Sequence, residues 1–237
     1  MISILAAALL VLAQDTLKTD KGDLVLTPIE HATFVMKCAG KTIFVDPTKG
    51  GDAFKEFGKP DLILVTDIHG DHYDQKTLSA VRTAEAVVIV PAAVAEKMGA
   101  EKGNAKVLAN GEKTKVGDIE VEAVGAYDIK PGEPSHPKGK SNGYVVTLGG
   151  KRIYISGDTE DIPEMRALKD IDAAFVCMNL PYTMDVDKAA DAVLAFKPKI
   201  VYPYHYRGKP AMSDVEKFKS IVAKDKGIEV RLLKWYK

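Results

Sequence analysis

Four of the chain's five histidines fall in one ordered pattern: Thr66-Asp67-Ile68-His69-Gly70-Asp71-His72, and then, at long intervals, His136, Asp158 and His205. Imidazole nitrogens and carboxylate oxygens are the usual ligands of a borderline cation such as Zn2+, and a catalytic site also leaves one position open for water. Asp67 and His69, two apart on an extended segment, share a side, and the next turn delivers Asp71 and His72. Any one of these histidines alone reads as a core or surface residue making a single hydrogen bond. The ordered set reads as a two-metal hydrolytic site.

The elements that must position these residues are legible as apolar runs. Residues 61–67 suit a buried strand with the acidic and histidine residues at its carboxyl end, a common place for catalytic groups. Runs at 24–28, 33–38 and 41–45 join it in an early strand cluster with tight turns such as Ala39-Gly40. A strand at 86–90 runs into Pro91 at a helix start, and Gly99 closes that helix. Further strands are expected at 118–124, 144–148, 152–155, 173–176, 200–202 and 228–232. Ser213 with Glu216 makes a capping box for a helix whose Val215, Phe218, Ile221 and Val222 share a face, with Gly227 as its stop; residues 187–196 carry a similar stripe. Strand clusters with interspersed helices fit an α/β sandwich better than a doubly wound parallel sheet. The loop 127–142, rich in Pro, Gly and Lys, holds His136. By composition it is a mobile surface loop, but a ligand would pin its centre and let its flanks shape the mouth of the site.

Several words in the right order resemble the metallo-β-lactamase superfamily, from about Leu24 to the C-terminus. They are Glu30-His31-Ala32-Thr33-Phe34, Phe44-Val45-Asp46-Pro47, the Asp67–His72 pattern, Gly143-Tyr144-Val145-Val146, Ile155-Ser156-Gly157-Asp158-Thr159 and Tyr202-Pro203-Tyr204-His205-Tyr206. They look most like the branch that contains the ascorbate-6-phosphate lactonase. The resemblance implies an αβ/βα four-layer sandwich, two mixed β-sheets flanked by helices, over residues 24–237. It places Asp67, His69 and His136 on one divalent ion and Asp71, His72 and His205 on another, with Asp158 bridging; Asp71 and Asp158 are then the candidate catalytic carboxylates. The superfamily's usual opening is His-x-His-x-Asp-His, and Asp67 stands where its first histidine falls. Zn2+ is the first expectation for one or two bound ions, and the harder Asp67 carboxylate tilts its site toward Mn2+ or Fe2+ or toward partial filling. His31 resembles the family's Gly-His-Ala-Ser word, which lies near the metals; a role beside the ligands or against substrate competes with plain packing. Asp46, at the end of a strand, is expected to orient a ligand histidine.

At 237 residues the chain suits one sizeable domain. Lysine plus arginine and aspartate plus glutamate balance at 33 each, so no global field draws in nucleic acid or an anionic membrane. Residues 1–13 form an apolar stretch too short to span a bilayer and suited to a signal-peptide core, with Val11-Leu12-Ala13 as a cleavage site before Gln14. A buried N-terminal strand or helix is the competing reading. The abrupt change to a polar, linker-like segment at 14–23 favours export, periplasmic or secreted, and no cysteine follows to carry a lipid anchor. Cys38 and Cys177 are expected as buried free thiols.

These readings converge on an exported, metal-dependent hydrolase of a small molecule with an ester, lactone or phosphodiester-type bond. Tyr182, Tyr204, Tyr206 or His31 would donate a hydrogen bond to the developing charge or protonate the leaving group. A non-catalytic metal-binding scaffold of the same fold is the rival, because Asp67 breaks the usual ligand set.

Overall fold

The computed structural model describes residues 14–236. The expected signal segment, 1–13, lies outside them. Two seven-stranded sheets carry the chain in sequence order. The first runs β1 (Asp15–Thr19), β2 (Gly22–Glu30), β3 (Thr33–Cys38), β4 (Lys41–Val45), β5 (Leu62–Leu64), β6 (Val87–Val90) and β7 (Lys106–Val107). The second comprises β8 (Lys113–Val116), β9 (Ile119–Ala126), β10 (Ser141–Leu148), β11 (Lys151–Ile155), β12 (Ala173–Cys177), β13 (Ile200–Tyr204) and β14 (Glu229–Val230). Both sheets are mixed. In each, the first four strands pair antiparallel, through short turns except for the long β9–β10 connection, and the last four pair parallel. Among the parallel connections run helices α1 (Gln75–Val81), α2 (Ala92–Met98), α3 (Pro163–Arg166), α4 (Val186–Phe196) and α5 (Val215–Val222). This is the expected metallo-β-lactamase sandwich of two mixed sheets with flanking helices.

Strand alternation builds the layers. Phe34, Met36, Ile43, Val45, Leu62, Leu64 and Ile89 join the main core, which includes the second sheet, whereas the intervening Val35, Phe44, Ile63, Val88 and Val90 pack in a separate cluster with α1 and α2. The rings of Phe34 and Phe175, one from each sheet, lie 4.4 Å apart between centroids. Strands covered on both faces read as continuous apolar runs, which is why they stand out in the sequence.

Two expectations are corrected, and some elements were not expected at all. The segment 14–23 is no linker: it contains β1, which pairs with β2 and buries Leu17, while Asp15 Oδ2 accepts hydrogen bonds from Tyr202 (2.8 Å) and Arg231 (3.0 Å). Backbone pairing and one ion pair order it, and neither leaves an apolar pattern. The last helix is capped by Asp214, whose side chain accepts from Lys217 N, and it ends at Val222, before Gly227. Ser213 instead donates to the Met178 carbonyl. Finally, β8 and α1, polar on one side, carried no signal strong enough to be expected. Both cysteines are buried and free, as expected.

Candidate metal centre

The site forms where strand ends of the two sheets meet. After β5 the chain continues along Ile89 by one hydrogen bond, Val65 N to Ile89 O, and then releases residues 66–72 into the site. Asp67 and His72 are buried, whereas the side chains of His69 and Asp71 stay 48% and 43% exposed. From the second sheet come His136 in the β9–β10 connection, Asp158 just past β11, and His205 just past β13. His205 takes φ 47°, a left-handed conformation that turns the chain out of β13. Gly157, at φ 61°, is needed for close approach: a Cβ there would lie 2.9 Å from Asn142 O and 3.1 Å from Thr66 Cβ. That approach brings Asp158 against the 66–72 loop.

Three groups of ligand atoms result, each within 4.8 Å of one another: Asp67, His69 and His136; His72, Asp158 and His205; and His31, Asp71 and His205. Asp158 reaches both ends of the constellation. Its Oδ2 lies 3.3 Å from His136 Nε2 and 3.5 Å from His72 Nε2, and its Oδ1 lies 3.4 Å from His205 Nε2. The Nε2 atoms of His72 and His205 face each other at 3.1 Å. Tetrahedral ligands at roughly 2.0–2.1 Å from a cation stand about 3.3–3.4 Å apart, so these separations fit a common ion. Asp158 Oδ1 is also buried and accepts no hydrogen bond among the described residues, and a buried carboxylate oxygen without one calls for positive charge beside it.

Buried acids orient the imidazoles. Asp46 Oδ2 is 2.8 Å from His72 Nδ1, and Asp46 is itself fixed by the backbone N–H and hydroxyl of Thr66, each at 2.7 Å. With Nδ1 so engaged, His72 Nε2 faces His205 and Asp158. Asp128 does the same for His136, with Oδ1 3.1 Å from Nδ1 and Oδ2 accepting the His136 N–H at 3.0 Å. Asp128 was not visible in the sequence, since it sits in the polar 127–142 loop with no spacing signature. Two further contacts were missed. Ser141 donates to Asp67 Oδ2, and Tyr236, at the far end of the chain, brings its hydroxyl within 2.7 Å of His31 Nδ1. His31 Nε2 lies 3.2 Å from Asp71 Oδ2 and the ring sits 3.8 Å from that of His205, so His31 is beside the ligand set rather than simply packed in the core.

The charges respond as a carboxylate cluster demands. Burial pushes the Asp158 carboxyl up, but the imidazoles of His205, His72 and His136 hold it well below the usual carboxylate range. For His136, burial opposes the charged form, yet Asp158, Asp67 and Asp128 outweigh it and lift the imidazole to about 9. His72 is raised against burial by Asp158 and Asp46. For Asp67, burial is likewise overcome by His69, His72 and Ser141, bringing the carboxyl down to about 2. The centre attracts positive charge, which protons or cations can supply.

Of the tyrosines considered from sequence, Tyr204 is buried and its hydroxyl accepts from Gly157 N at 3.0 Å, so it is structural. Tyr206 packs edge-on against Tyr236. Tyr182 does line the cleft over the site, about 450 Å³ in volume, together with His31, His69, Asp71, His136 and Asp158. Among the described residues, no helix is long and apolar enough to cross a membrane.

Comparison with known proteins places this architecture. Residues 25–205 match the family model described as the beta-lactamase superfamily domain. A UPF0173 metal-dependent hydrolase of Pyrococcus furiosus is 34% identical over 210 residues, covering 83% of this chain and 91% of that protein. A solved structure from Parabacteroides distasonis, described as that of a candidate metal-dependent hydrolase, is 40% identical, covers 95% of this chain and 100% of that one, and superposes with a TM-score of 0.85. Igni18, a metallo hydrolase of Ignicoccus hospitalis, shares the fold at 24% identity and a TM-score of 0.75 over 90% of this chain and 96% of that one. The chain belongs to the beta-lactamase superfamily and, within it, to the UPF0173 family of metal-dependent hydrolases.

Proposed function

We propose that the protein hydrolyses an ester, lactone or phosphodiester-type bond in a small molecule, using one or two divalent ions, Zn2+ first and Mn2+ or Fe2+ as alternatives. The observation that carries this reading is Asp158, buried between His136 on one side and His72 and His205 on the other, with one oxygen accepting no hydrogen bond among the described residues. Asp67, His69 and His136 would hold one ion and Asp71, His72 and His205 the other, with Asp158 shared. When bound, the ions supply Lewis acidity, which makes water nucleophilic near neutral pH and polarises the bond to be cleaved. Asp46 and Asp128 hold the His72 and His136 rings in their ligating orientation. Asp71, which faces the cleft, keeps His31 Nε2 at the edge of the site, where that ring can exchange a proton with a leaving group. The sequence words look most like the branch that contains the ascorbate-6-phosphate lactonase.

Metal analysis of the purified protein, coupled to a screen of ester, lactone and phosphodiester substrates, tests this. Tight binding of metal with turnover of one class is the expected result; a single weakly held ion with no turnover would make the protein a binding scaffold.

We further propose export with removal of residues 1–13. The expected junction, Ala13-Gln14, falls immediately before β1, so cleavage there leaves the first sheet whole. N-terminal sequencing of the protein from its producing cell should begin near Gln14; a start at Met1 refutes it.

A further inference from the structure

The cleft over the metal centre has a second wall, formed by Asn179, Tyr182, Arg207 and Lys209, none of which belongs to the ligand set. Asn179 is 3% exposed. Its Oδ1 accepts from the Thr183 hydroxyl at 2.6 Å, and its own N–H donates to the same hydroxyl oxygen at 2.9 Å. These bonds fix the side chain and leave its Nδ2 without a hydrogen bond among the described residues, although the residue lines the cleft. A fixed amide donor at the edge of an open cleft suits an acceptor on a ligand.

Two cations share this wall. The Arg207 guanidinium lies 4.4 Å over the Tyr236 ring and donates through Nη2 to Glu30 at 3.0 Å, which braces it and leaves Nε and Nη1 unbonded among the described residues. Glu30 is also paired with Lys49 at 3.3 Å, so its one negative charge is divided between two partners. Lys209 has no carboxylate partner among the described residues. Between them stands Gly208, where a Cβ would fall 2.5 Å from the Leu180 carbonyl oxygen, and the Lys209 N–H donates to that same oxygen at 2.7 Å. Only glycine lets the 207–209 segment press onto Leu180, so the backbone is built to hold Arg207 and Lys209 in the cleft that Asn179 also lines. Solvated surface lysines and arginines need no such contact.

We propose that Asn179, Arg207 and Lys209 form an oxyanion subsite that holds a carboxylate or phosphate carried by the substrate away from the bond to be cleaved. This deepens the hydrolase reading above and rests on it for the word substrate. Guanidinium, ammonium and amide N–H groups are all donors, and two of them are charged, so the subsite selects anions over neutral groups of the same shape.

The test is calorimetric titration of phenyl phosphate, benzoate and neutral benzamide into the full chain, both metal-loaded and stripped by chelator, with metal content measured on the same samples. At least one of the two anions should bind both forms and benzamide neither. Lys209→Ala and the near-isosteric Asn179→Asp should each weaken anion binding about tenfold or more in both forms, the loss expected for one charge-assisted hydrogen bond. Preference for phenyl phosphate assigns a phosphate, and preference for benzoate a carboxylate. Anion binding that disappears on stripping and ignores both substitutions would put the anion on the metals and overturn the subsite, as would no anion binding at all. Retained, substitution-sensitive anion binding in a protein that takes up no metal would uphold the subsite and sink the hydrolase reading instead.

Discussion

In the first sheet, three antiparallel pairings are followed by three parallel ones, and the second sheet repeats that order. The two halves nevertheless deliver their site residues differently. The first supplies Asp67, His69, Asp71 and His72 from one loop after β5, and half of these side chains remain largely open to the cleft. The second supplies His136, Asp158 and His205 from three separate connections, and all three are buried. A contiguous loop can place ligands by local geometry alone. Ligands from separate strands are placed only when the sheet register is correct, and they gain in rigidity and burial what they lose in locality.

The sharpest way to break this contrast is Asp158→Asn, because that carboxylate approaches histidines at both ends of the constellation. Metal content, read by elemental analysis, should collapse at both positions while the fold remains; a full complement in the variant would remove Asp158 from the centre. Next come His205→Ala and His69→Ala. His205 takes part in two of the three ligand groups and is fully buried, whereas His69 takes part in one and is half exposed, so the first should lose more metal than the second. Equal losses would contradict the asymmetry between the halves, and no loss in either would overturn the ligand assignment.

Smaller effects should follow from the acids behind the histidines. Asp46→Asn and Asp128→Asn should each lower metal affinity by about 10–100-fold with thermal stability measured alongside, since each preserves shape but weakens the hold on Nδ1 of His72 or His136. Affinity equal to the parent's would make the two acids purely structural. Asp67→His should restore the superfamily's common opening and move selectivity toward Zn2+, while Asp67→Ala weakens that position only. Unchanged selectivity in competition between Zn2+ and Mn2+ would make Asp67 a bystander, tied up by His69 and Ser141.

The smallest effect is in proton balance. His136 is lifted to about 9 and so carries a proton at pH 7 in chelator-stripped protein, and His72 is raised in the same direction by Asp158 and Asp46. A ligating imidazole must be neutral, so loading metal should expel protons, and apparent affinity should rise as pH increases toward about 9. Calorimetry in buffers of different ionisation enthalpy measures the release; none at pH 7 would mean the histidines are not ligands.

Several features were readable from residues alone. The strands of the core announced themselves because β3, β4, β5 and β6 are covered on both faces over most of their length and there read as apolar runs. The 66–72 motif was legible because its spacing is local, and Asp46 because it ends a strand beside the motif. By contrast, β1 is held by pairing with β2 and by Asp15 with Tyr202 and Arg231, nearly the full chain length away. Nothing in a window of sequence records such a partner. The same holds for Asp128 behind His136, for Tyr236 against His31, and for the wall of Asn179, Arg207 and Lys209.

The sequence by itself determined the chemical types present, the apolar strands of the core and the motif that gathers four of the candidate ligands, because those depend on local periodicity and spacing. Only the tertiary structure decided which acid stands behind which histidine, which carboxylate oxygen is left without a hydrogen bond among the described residues, and which cations face the cleft. Those properties belong to pairs of groups far apart in the chain, and their energies arise only when folding removes water from between them.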